Sequence, residues 1–166
     1  MSTYRDGAYQ REIFVGTNNH VVCLDRQTGE LRWQTELPSS TFASTLVTLL
    51  LDDERIYAAG GRGVGCVAKG DGQLIWHTPI RKLQPPVAMA LDHVPPEGQL
   101  IVAGAGMVFS LVAEDGTLSW QNDLPGMGYF PLSLRVPGAL SAQPRSYYVS
   151  SGKSTVLKVV EEEHDE

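Results

Sequence analysis

The residues that could support metal or redox chemistry are few in this sequence and far apart. The four histidines show no spacing that is typical of a metal site; they are His20, His77, His93 and His164. The two cysteines, Cys23 and Cys66, lie inside apolar runs, where a thiol usually behaves as a small buried hydrophobe. The sequence therefore predicts no catalytic residue, no metal site and no cofactor.

Two further clusters suggest chemistry, and each has a simpler structural interpretation. The acidic run 52–54 could offer oxygen ligands to calcium, but it reads more simply as a solvated turn between two strands. The segment 60–65 is rich in glycine, as phosphate-binding loops are, yet it lies within a predicted hairpin and precedes a strand. Because a phosphate loop joins a strand to a helix, that interpretation fails.

The elements that carry these residues repeat along the chain. Three tryptophans recur at intervals of 43 and 44 residues, each four residues after a glycine. The pairs are Gly29 with Trp33, Gly72 with Trp76, and Gly116 with Trp120. A fourth copy at 147–150 and 155–159 is followed by neither a turn glycine nor a tryptophan. Matched offsets of this kind predict a repeat architecture.

Each unit contains four short β-rich stretches, named A to D in chain order. Strand A is predicted at 42–51, 87–91 and 129–136, B precedes a short loop, C is the apolar run, and D holds the tryptophan. The glycine between C and D supplies the positive φ of a hairpin turn. Four antiparallel strands in about 40–45 residues predict a β-propeller blade. The three glycine–tryptophan pairs are predicted to be structural, with the tryptophans buried between blades.

The first copy, CLDRQTGELRW, resembles the pyrroloquinoline-quinone-type propeller repeat, whose usual form is A-x-D-x-x-T-G-x-x-x-W. Asp25, Thr28, Gly29 and Trp33 match that form, while Cys23 stands where alanine is common. The second and third copies keep the glycine and the tryptophan. The resemblance implies an all-β propeller of the quinoprotein-like family.

That family includes both quinoprotein dehydrogenases and non-catalytic scaffolds such as the outer-membrane assembly lipoprotein. The dehydrogenases would need a vicinal cysteine pair, a calcium site of Glu and Asn, and an Asp base, on a chain several times longer. Here the two cysteines are 43 positions apart, and no such calcium cluster is found. The resemblance therefore implies a non-catalytic member.

The strand count predicts an incomplete propeller. The chain of 166 residues is expected to form one domain, 1–166, with units at about 1–38, 39–81, 82–125 and 126–160 and an acidic tail at 161–166. Fourteen predicted strands make about 3.5–4 blades, whereas propellers usually close with four to eight. Two chains are therefore expected to complete a ring of 7–8 blades, the alternative being one chain closing alone with four.

Charge and hydropathy exclude some partners. The net charge of −6 argues against nucleic acid, which needs a basic field. The first ten residues have no apolar core of a signal peptide, and no apolar run approaches the ~18 residues of a membrane span. We therefore expect a cytoplasmic protein without a membrane partner.

The predicted loops separate charge onto two sides of the propeller. The A–B and C–D loops carry mostly acids, whereas the D–A and B–C loops carry amides and cations. The candidate ligand-binding residues on this second side are Asn18, Asn19, His20, Arg62, Arg81, Lys82 and Lys153. A glycine-rich segment, 124–129, is a second rim loop there. A peptide, a glycan or a small anion would each suit such a face.

The sequence favours a non-catalytic binding or scaffolding module that self-associates, most simply as a homodimer. One alternative is a quinone- or metal-dependent oxidoreductase formed at the central channel of an assembled ring. The other is a purely structural oligomer. Fold alone does not separate these, because the same fold carries unrelated functions.

Overall fold

The protein is all-β, as the sequence predicts. The computed structural model describes residues 11–38, 46–60, 62–93, 98–130, 132–143, 146–151 and 154–159, which contain fourteen β-strands and no helix. No helix in these ranges has the length and hydropathy of a membrane span. The candidate Lys153 lies outside the described residues.

The strands form antiparallel sheets in chain order. The first blade is β1 (Glu12–Thr17), β2 (His20–Asp25) and β3 (Leu31–Glu36). The second blade is β4 (Thr48–Leu51), β5 (Arg55–Gly60), β6 (Gly63–Ala68) and β7 (Leu74–Pro79). The third blade is β8 (Ala88–Asp92), β9 (Gln99–Gly104), β10 (Met107–Val112) and β11 (Leu118–Asn122). After it come β12 (Leu140–Ala142) and a hairpin of β13 (Ser146–Ser151) and β14 (Ser154–Val159).

The turn between the last two strands has the same conformation in all three blades. Gly29, Gly72 and Gly116 have φ values of 73°, 75° and 78°, in the left-handed region that favours glycine. The amide of each glycine donates to the carbonyl oxygen four residues earlier, at 2.8–2.9 Å. The repeated glycines are therefore required by this turn.

Two apolar clusters hold the blades together. The larger joins the second and third blades and includes Tyr57, Met89 and Phe109, each at most 2% exposed. The smaller joins the first and second blades around Val21 and Ile56. Burial of side chains of this size stabilises a fold by about 1.5–3 kcal/mol each.

Two tryptophans connect the first blade to the second and the second blade to the third, in contacts that we call tryptophan joints. The Trp33 ring lies against Gly72 and the Trp76 ring against Gly116, so closely that a Cβ on either glycine would overlap the ring. Trp76 Nε1 donates to the carbonyl oxygen of Ala113 at 3.2 Å. The residue two positions after each tryptophan adds a hydrogen bond: Thr35 donates to the Gly72 carbonyl, and Thr78 to the Gly116 carbonyl at 2.5 Å.

The third tryptophan differs from the expected burial. Trp76 is 9% exposed and Trp33 is partly buried, but Trp120 is 46% exposed. The reason is that no glycine turn of a further blade lies against Trp120 within the described residues. Of the three predicted inter-blade tryptophans, Trp33 and Trp76 therefore contact the next blade.

The predicted strand A of the fourth unit, at 129–136, is wrong. The described residues of that range form no strand, and Tyr129 and Phe130 are 85% and 72% exposed. Pro131 lies within this range and Pro137 directly follows it, and proline cannot donate to a strand ladder. Instead β12 pairs with β8, the inner strand of the third blade, with Leu140 opposite Leu91.

Candidate functional site

A cavity of about 560 Å³ lies where loops of the second and third blades meet. Its walls come from D–A and B–C loops, namely the β5–β6 and β9–β10 turns and the segments after β7 and β11, and from Met107, the first residue of β10. We call it the cation cavity. The lining residues that matter here are Arg62, Arg81, Lys82, Gln84, Asp123 and Tyr129.

Backbone geometry places the first cation at the cavity. Arg62 is exposed in the tight turn between β5 and β6 and has a φ of 64°. A left-handed conformation is unfavourable for a residue other than glycine, asparagine or aspartate. The turn is held by a hydrogen bond from the Ile80 amide to the Arg62 carbonyl oxygen at 2.8 Å. This bond ties the Arg62 turn to the segment that carries the other two cations.

Two buried side chains, which we call anchors, hold the segment that carries the other two cations. Ile80 and Leu83 are 6% and 1% exposed, and the Leu83 amide donates to the Ile80 carbonyl oxygen at 3.0 Å. Arg81 and Lys82 lie between these anchors and are exposed. Because the anchors are buried in the core, the two cations between them project outward.

The opposite wall is the segment after β11. The Leu124 amide donates to Asn122 Oδ1 at 2.8 Å, and the Met127 amide donates to the Leu124 carbonyl oxygen at 3.1 Å. Gly106, in the β9–β10 turn, lies so close to the Gly128 carbonyl that a side chain would not fit. Tyr129 presents its ring at this wall and is 85% exposed. The wall thus combines an aromatic ring with a hydrogen-bonded turn.

The cation cavity has an excess of positive charge. Arg62, Arg81 and Lys82 line it with a single carboxylate, that of Asp123. Among the described residues, the ion pairs join Arg32 to Glu12, Arg32 to Asp25, and His93 to Asp52, so none involves the three cations. Cations without an internal partner are available to an anionic ligand.

The predicted ligand-binding residues are only partly brought together. Arg62, Arg81 and Lys82 line one cavity, whereas Asn18, Asn19 and His20 do not line it. Asn18 and Asn19 have φ values of 47° and 58° in the β1–β2 turn, and the Asn18 carbonyl oxygen lies 2.7 Å from His20 Nδ1. The His20 ring and the Asn18 carbonyl oxygen therefore contact each other within the first-blade turn.

Sequence reasoning missed two polar residues of the cavity, Gln84 and Asp123, and the apolar Met107. The signal for Asp123 was its position directly before the rim loop 124–129, which does line the cavity. Gln84 and Met107 carry no local signal, because only the packing of the two blades brings their segments together.

The opposite side of the molecule has a smaller cavity of about 260 Å³, which we call the acidic cavity. It is lined by Asp52, Asp53, Glu54, Arg55 and His93. Asp52 Oδ1 accepts hydrogen bonds from the amides of Glu54 at 2.9 Å and Arg55 at 2.6 Å, so it closes the β4–β5 turn. In the described ranges, no group of three or more His, Cys, Asp or Glu side chains is arranged to hold a metal ion.

Both cysteines are buried, and burial raises their pKa values. The pKa of Cys23 is raised to about 11 and that of Cys66 to about 12, in each case chiefly by desolvation. A nucleophilic cysteine needs a depressed pKa and access to solvent. Cys23 and Cys66 are therefore core residues, as the sequence predicts.

The fold and its repeated turn define the class of protein: a β-propeller built from pyrroloquinoline-quinone-type repeats. The chain belongs to the family described as Outer membrane protein assembly factor BamB, which matches residues 4–128 and 60–156. The predicted repeat family is thereby confirmed. No curated protein matches the chain.

Two solved structures are similar to this chain. The crystal structure of BamB from Moraxella catarrhalis is similar with a TM-score of 0.52 and 19% identity, covering 79% of this chain and 40% of that one. A Europium-containing methanol dehydrogenase gives a TM-score of 0.47 and 14% identity, covering 66% of this chain and 22% of that one. The chain thus spans less than half the length of either structure. The likeness to BamB confirms a partial β-propeller.

Proposed function

We propose that this chain is a non-catalytic binding and scaffolding module that self-associates and binds an acidic peptide segment in the cation cavity. The observation that carries the proposal is the convergence of Arg62, Arg81 and Lys82 on one cavity without an ion-pair partner among the described residues. Membership of the BamB family favours a protein-binding scaffold as the general role.

The chemistry of the walls favours a peptide over a glycan or a small anion. Arg62 and Arg81 offer planar guanidinium groups that grip carboxylates with two parallel hydrogen bonds. Tyr129 adds an exposed aromatic ring to the same cavity, and Leu124 adds a partly buried aliphatic side chain. A segment that alternates acidic with aromatic or aliphatic residues satisfies both kinds of wall. A cavity of about 560 Å³ has room for a few such side chains.

A binding role also agrees with the types of side chain that are absent from the described lining of the cavity. Among the described residues, its lining contains no histidine, cysteine or serine that could act as a nucleophile or as its base. The single carboxylate, Asp123, is exposed. The positive charge and concave shape of the cavity suit the recognition of an anionic ligand.

The test is an anisotropy titration with a labelled peptide of alternating Glu and Phe, and with its Lys-for-Glu counterpart. We expect the Glu peptide to bind and the Lys peptide not to bind. Arg81→Ala should weaken binding about 10- to 100-fold, because a charge-assisted hydrogen bond contributes about 1.5–3 kcal/mol. Rising salt should weaken it further.

The matched control is Arg26→Ala, which removes an exposed arginine from the β2–β3 turn, outside the lining of the cation cavity. It should leave the affinity within about twofold, since a distant surface charge is largely screened. Equal affinity of the Glu peptide for the wild type and Arg81→Ala would contradict the proposed site. No binding of the Glu peptide to the wild type would contradict peptide recognition.

Self-association is supported by apolar side chains left exposed on the outer blades. Ile13 and Val15 of β1 are 42% and 39% exposed, and Trp120 of β11 is 46% exposed. Open blade faces of this kind favour association. Light scattering across a dilution series should give about twice the chain mass of 18.1 kDa. A single particle of the chain mass at every concentration would contradict self-association.

A further inference from the structure

One half of the tryptophan joint is left over on each outer blade. Trp120 occupies the position of Trp33 and Trp76 and is 46% exposed. Gly29 occupies the position of Gly72 and Gly116, yet no atom of the described residues lies within 4 Å of the place where its Cβ would be. Within the described residues, the third blade thus has a tryptophan without its glycine turn, and the first blade a glycine turn without its tryptophan.

The residue that completes the joint is also present on the third blade. In the first two joints, the threonine two positions after the tryptophan donates to the glycine carbonyl. Asn122 holds that position after Trp120. Its Oδ1 accepts from the Leu124 amide, which leaves the side-chain NH₂ group as a donor. The Trp120 ring can therefore pack against a glycine turn as the Trp76 ring does, and the Asn122 side chain can donate to the glycine carbonyl as the Thr78 hydroxyl does.

The fourth copy of the repeat does not supply the missing glycine. Its register aligns Leu157 with Cys23, because Tyr148 pairs with Leu157 as Phe14 pairs with Cys23. Gly29 follows Cys23 by six residues, and Glu163 follows Leu157 by six. At Gly72 and Gly116 a Cβ would overlap the docked ring. In sequence, the fourth copy therefore has no glycine at the position that receives a tryptophan ring in the second and third blades.

Strand register also shows that the two half-joints lie on outward faces. Phe14, Cys23 and Trp33 are cross-strand partners on the side of the first blade that packs against the second. Ile13 and Val15 alternate with Phe14, so they point to the other side and are exposed. The free side of the first blade is thus apolar and can meet an apolar face.

We propose that Trp120 of one copy docks on the Gly29 turn of a second copy, and that the second copy's Trp120 docks reciprocally on the first. This inference rests on the proposed self-association and names its interface. A reciprocal contact of this kind is compatible with a two-fold axis. It repeats between chains the geometry that the Trp33 and Trp76 joints make within one chain.

The experiment compares the wild type, Trp120→Ala and Ser119→Ala by sedimentation velocity across dilution. Ser119 is the exposed neighbour of Trp120 on β11 and points to the opposite face of the strand. We expect the wild type and Ser119→Ala to be dimers and Trp120→Ala to be a monomer. Because Trp120 is nearly half exposed in one copy, circular dichroism should show that the variant remains folded.

A second variant tests the other half of the joint. Gly29→Ala adds a Cβ into open space in one copy, but the same Cβ would overlap the docked ring in the dimer. It should therefore weaken the dimer at least tenfold. Because a φ of 73° is also unfavourable for alanine, circular dichroism should show that the monomer remains folded, and Gly138→Ala, with a φ of 78° and open space around it, is the control for this strain. If Trp120→Ala and Gly29→Ala both dimerise with the affinity of the wild type, the proposed joint is wrong, while self-association itself stands. A monomeric wild type would overturn both.

Discussion

The acidic and basic sides of this propeller use their charges differently. On the acidic side, carboxylates of the turns accept hydrogen bonds from backbone amides two or three residues later. In the part of the chain that the structure describes, the four that do so are Asp25, Asp52, Asp71 and Asp115. On the other side, Arg62, Arg81 and Lys82 line a cavity and have no ion-pair partner among the described residues.

This difference separates charges that build the fold from charges that remain available for binding. A turn aspartate satisfies amides that would otherwise be unpaired, so its removal should cost stability. A surface cation without a partner contributes little to stability, so its removal should cost only ligand binding. Substitution of a turn aspartate should therefore lower the free energy of unfolding, whereas substitution of one of the three cations should not lower it.

The largest effect on stability is expected at Asp52. Asp52→Ala removes the acceptor of the Glu54 and Arg55 amides and should lower the free energy of unfolding by about 1–3 kcal/mol. The matched control is Asp53→Ala, which removes the adjacent exposed carboxylate of the same turn and should change stability by less than about 0.5 kcal/mol. Chemical denaturation measures both. Equal losses of stability in the two variants would contradict the claim that the hydrogen bonds of Asp52 stabilise this turn.

A gain in stability is expected at Arg62. Its φ of 64° is unfavourable for arginine and favourable for glycine, so Arg62→Gly should raise the free energy of unfolding by about 1 kcal/mol. The same change should weaken peptide binding. Arg81→Gly is the control, because Arg81 is not among the residues with positive φ, and glycine there should not stabilise. A destabilised Arg62→Gly would mean that the arginine side chain supports the fold.

The smallest effect is expected at Asp25 and depends on pH. The Arg32 guanidinium, with the amides of Gln27 and Thr28, lowers the Asp25 pKa from 3.8 to about 2. A carboxyl group with a depressed pKa stabilises the folded state above its unfolded pKa and loses that contribution as the pH falls through the folded pKa. Asp25→Asn should therefore be less stable than the wild type at neutral pH.

The wild-type advantage over Asp25→Asn should shrink as the pH falls from about 4 towards about 2. Thermal melts at several pH values measure it. A difference that stays constant over this range would show that ionisation of Asp25 does not stabilise the turn.

Much of the fold could be predicted because its signals are local. Gly29, Gly72 and Gly116 each mark a turn that needs positive φ, and each is followed at fixed distance by a tryptophan. The pairing of β12 with β8 was missed because it joins residues about 50 positions apart, which no local pattern encodes. The exposure of Trp120 was missed for a similar reason, since burial depends on the neighbouring blade.

The candidate site was predicted in part because loop order in a propeller determines which loops share a side. That rule places Arg62, Arg81 and Lys82 on one side, and in the structure all three line one cavity. It did not distinguish Asn18 and His20, which do not line that cavity; the His20 ring instead contacts the Asn18 carbonyl oxygen within the first-blade turn. Position along the rim depends on which blades meet, and the sequence alone does not give that geometry.

The most direct test of the account is photo-crosslinking of the Glu–Phe peptide to the wild-type protein, followed by mass spectrometry. We predict that crosslinks map to the lining of the cation cavity, at Arg62, 81–84 and 124–129. The Lys-for-Glu peptide should give none there. Crosslinks of the Glu peptide to the acidic cavity, at 52–55 and His93, would contradict the claim that the basic side is the binding side.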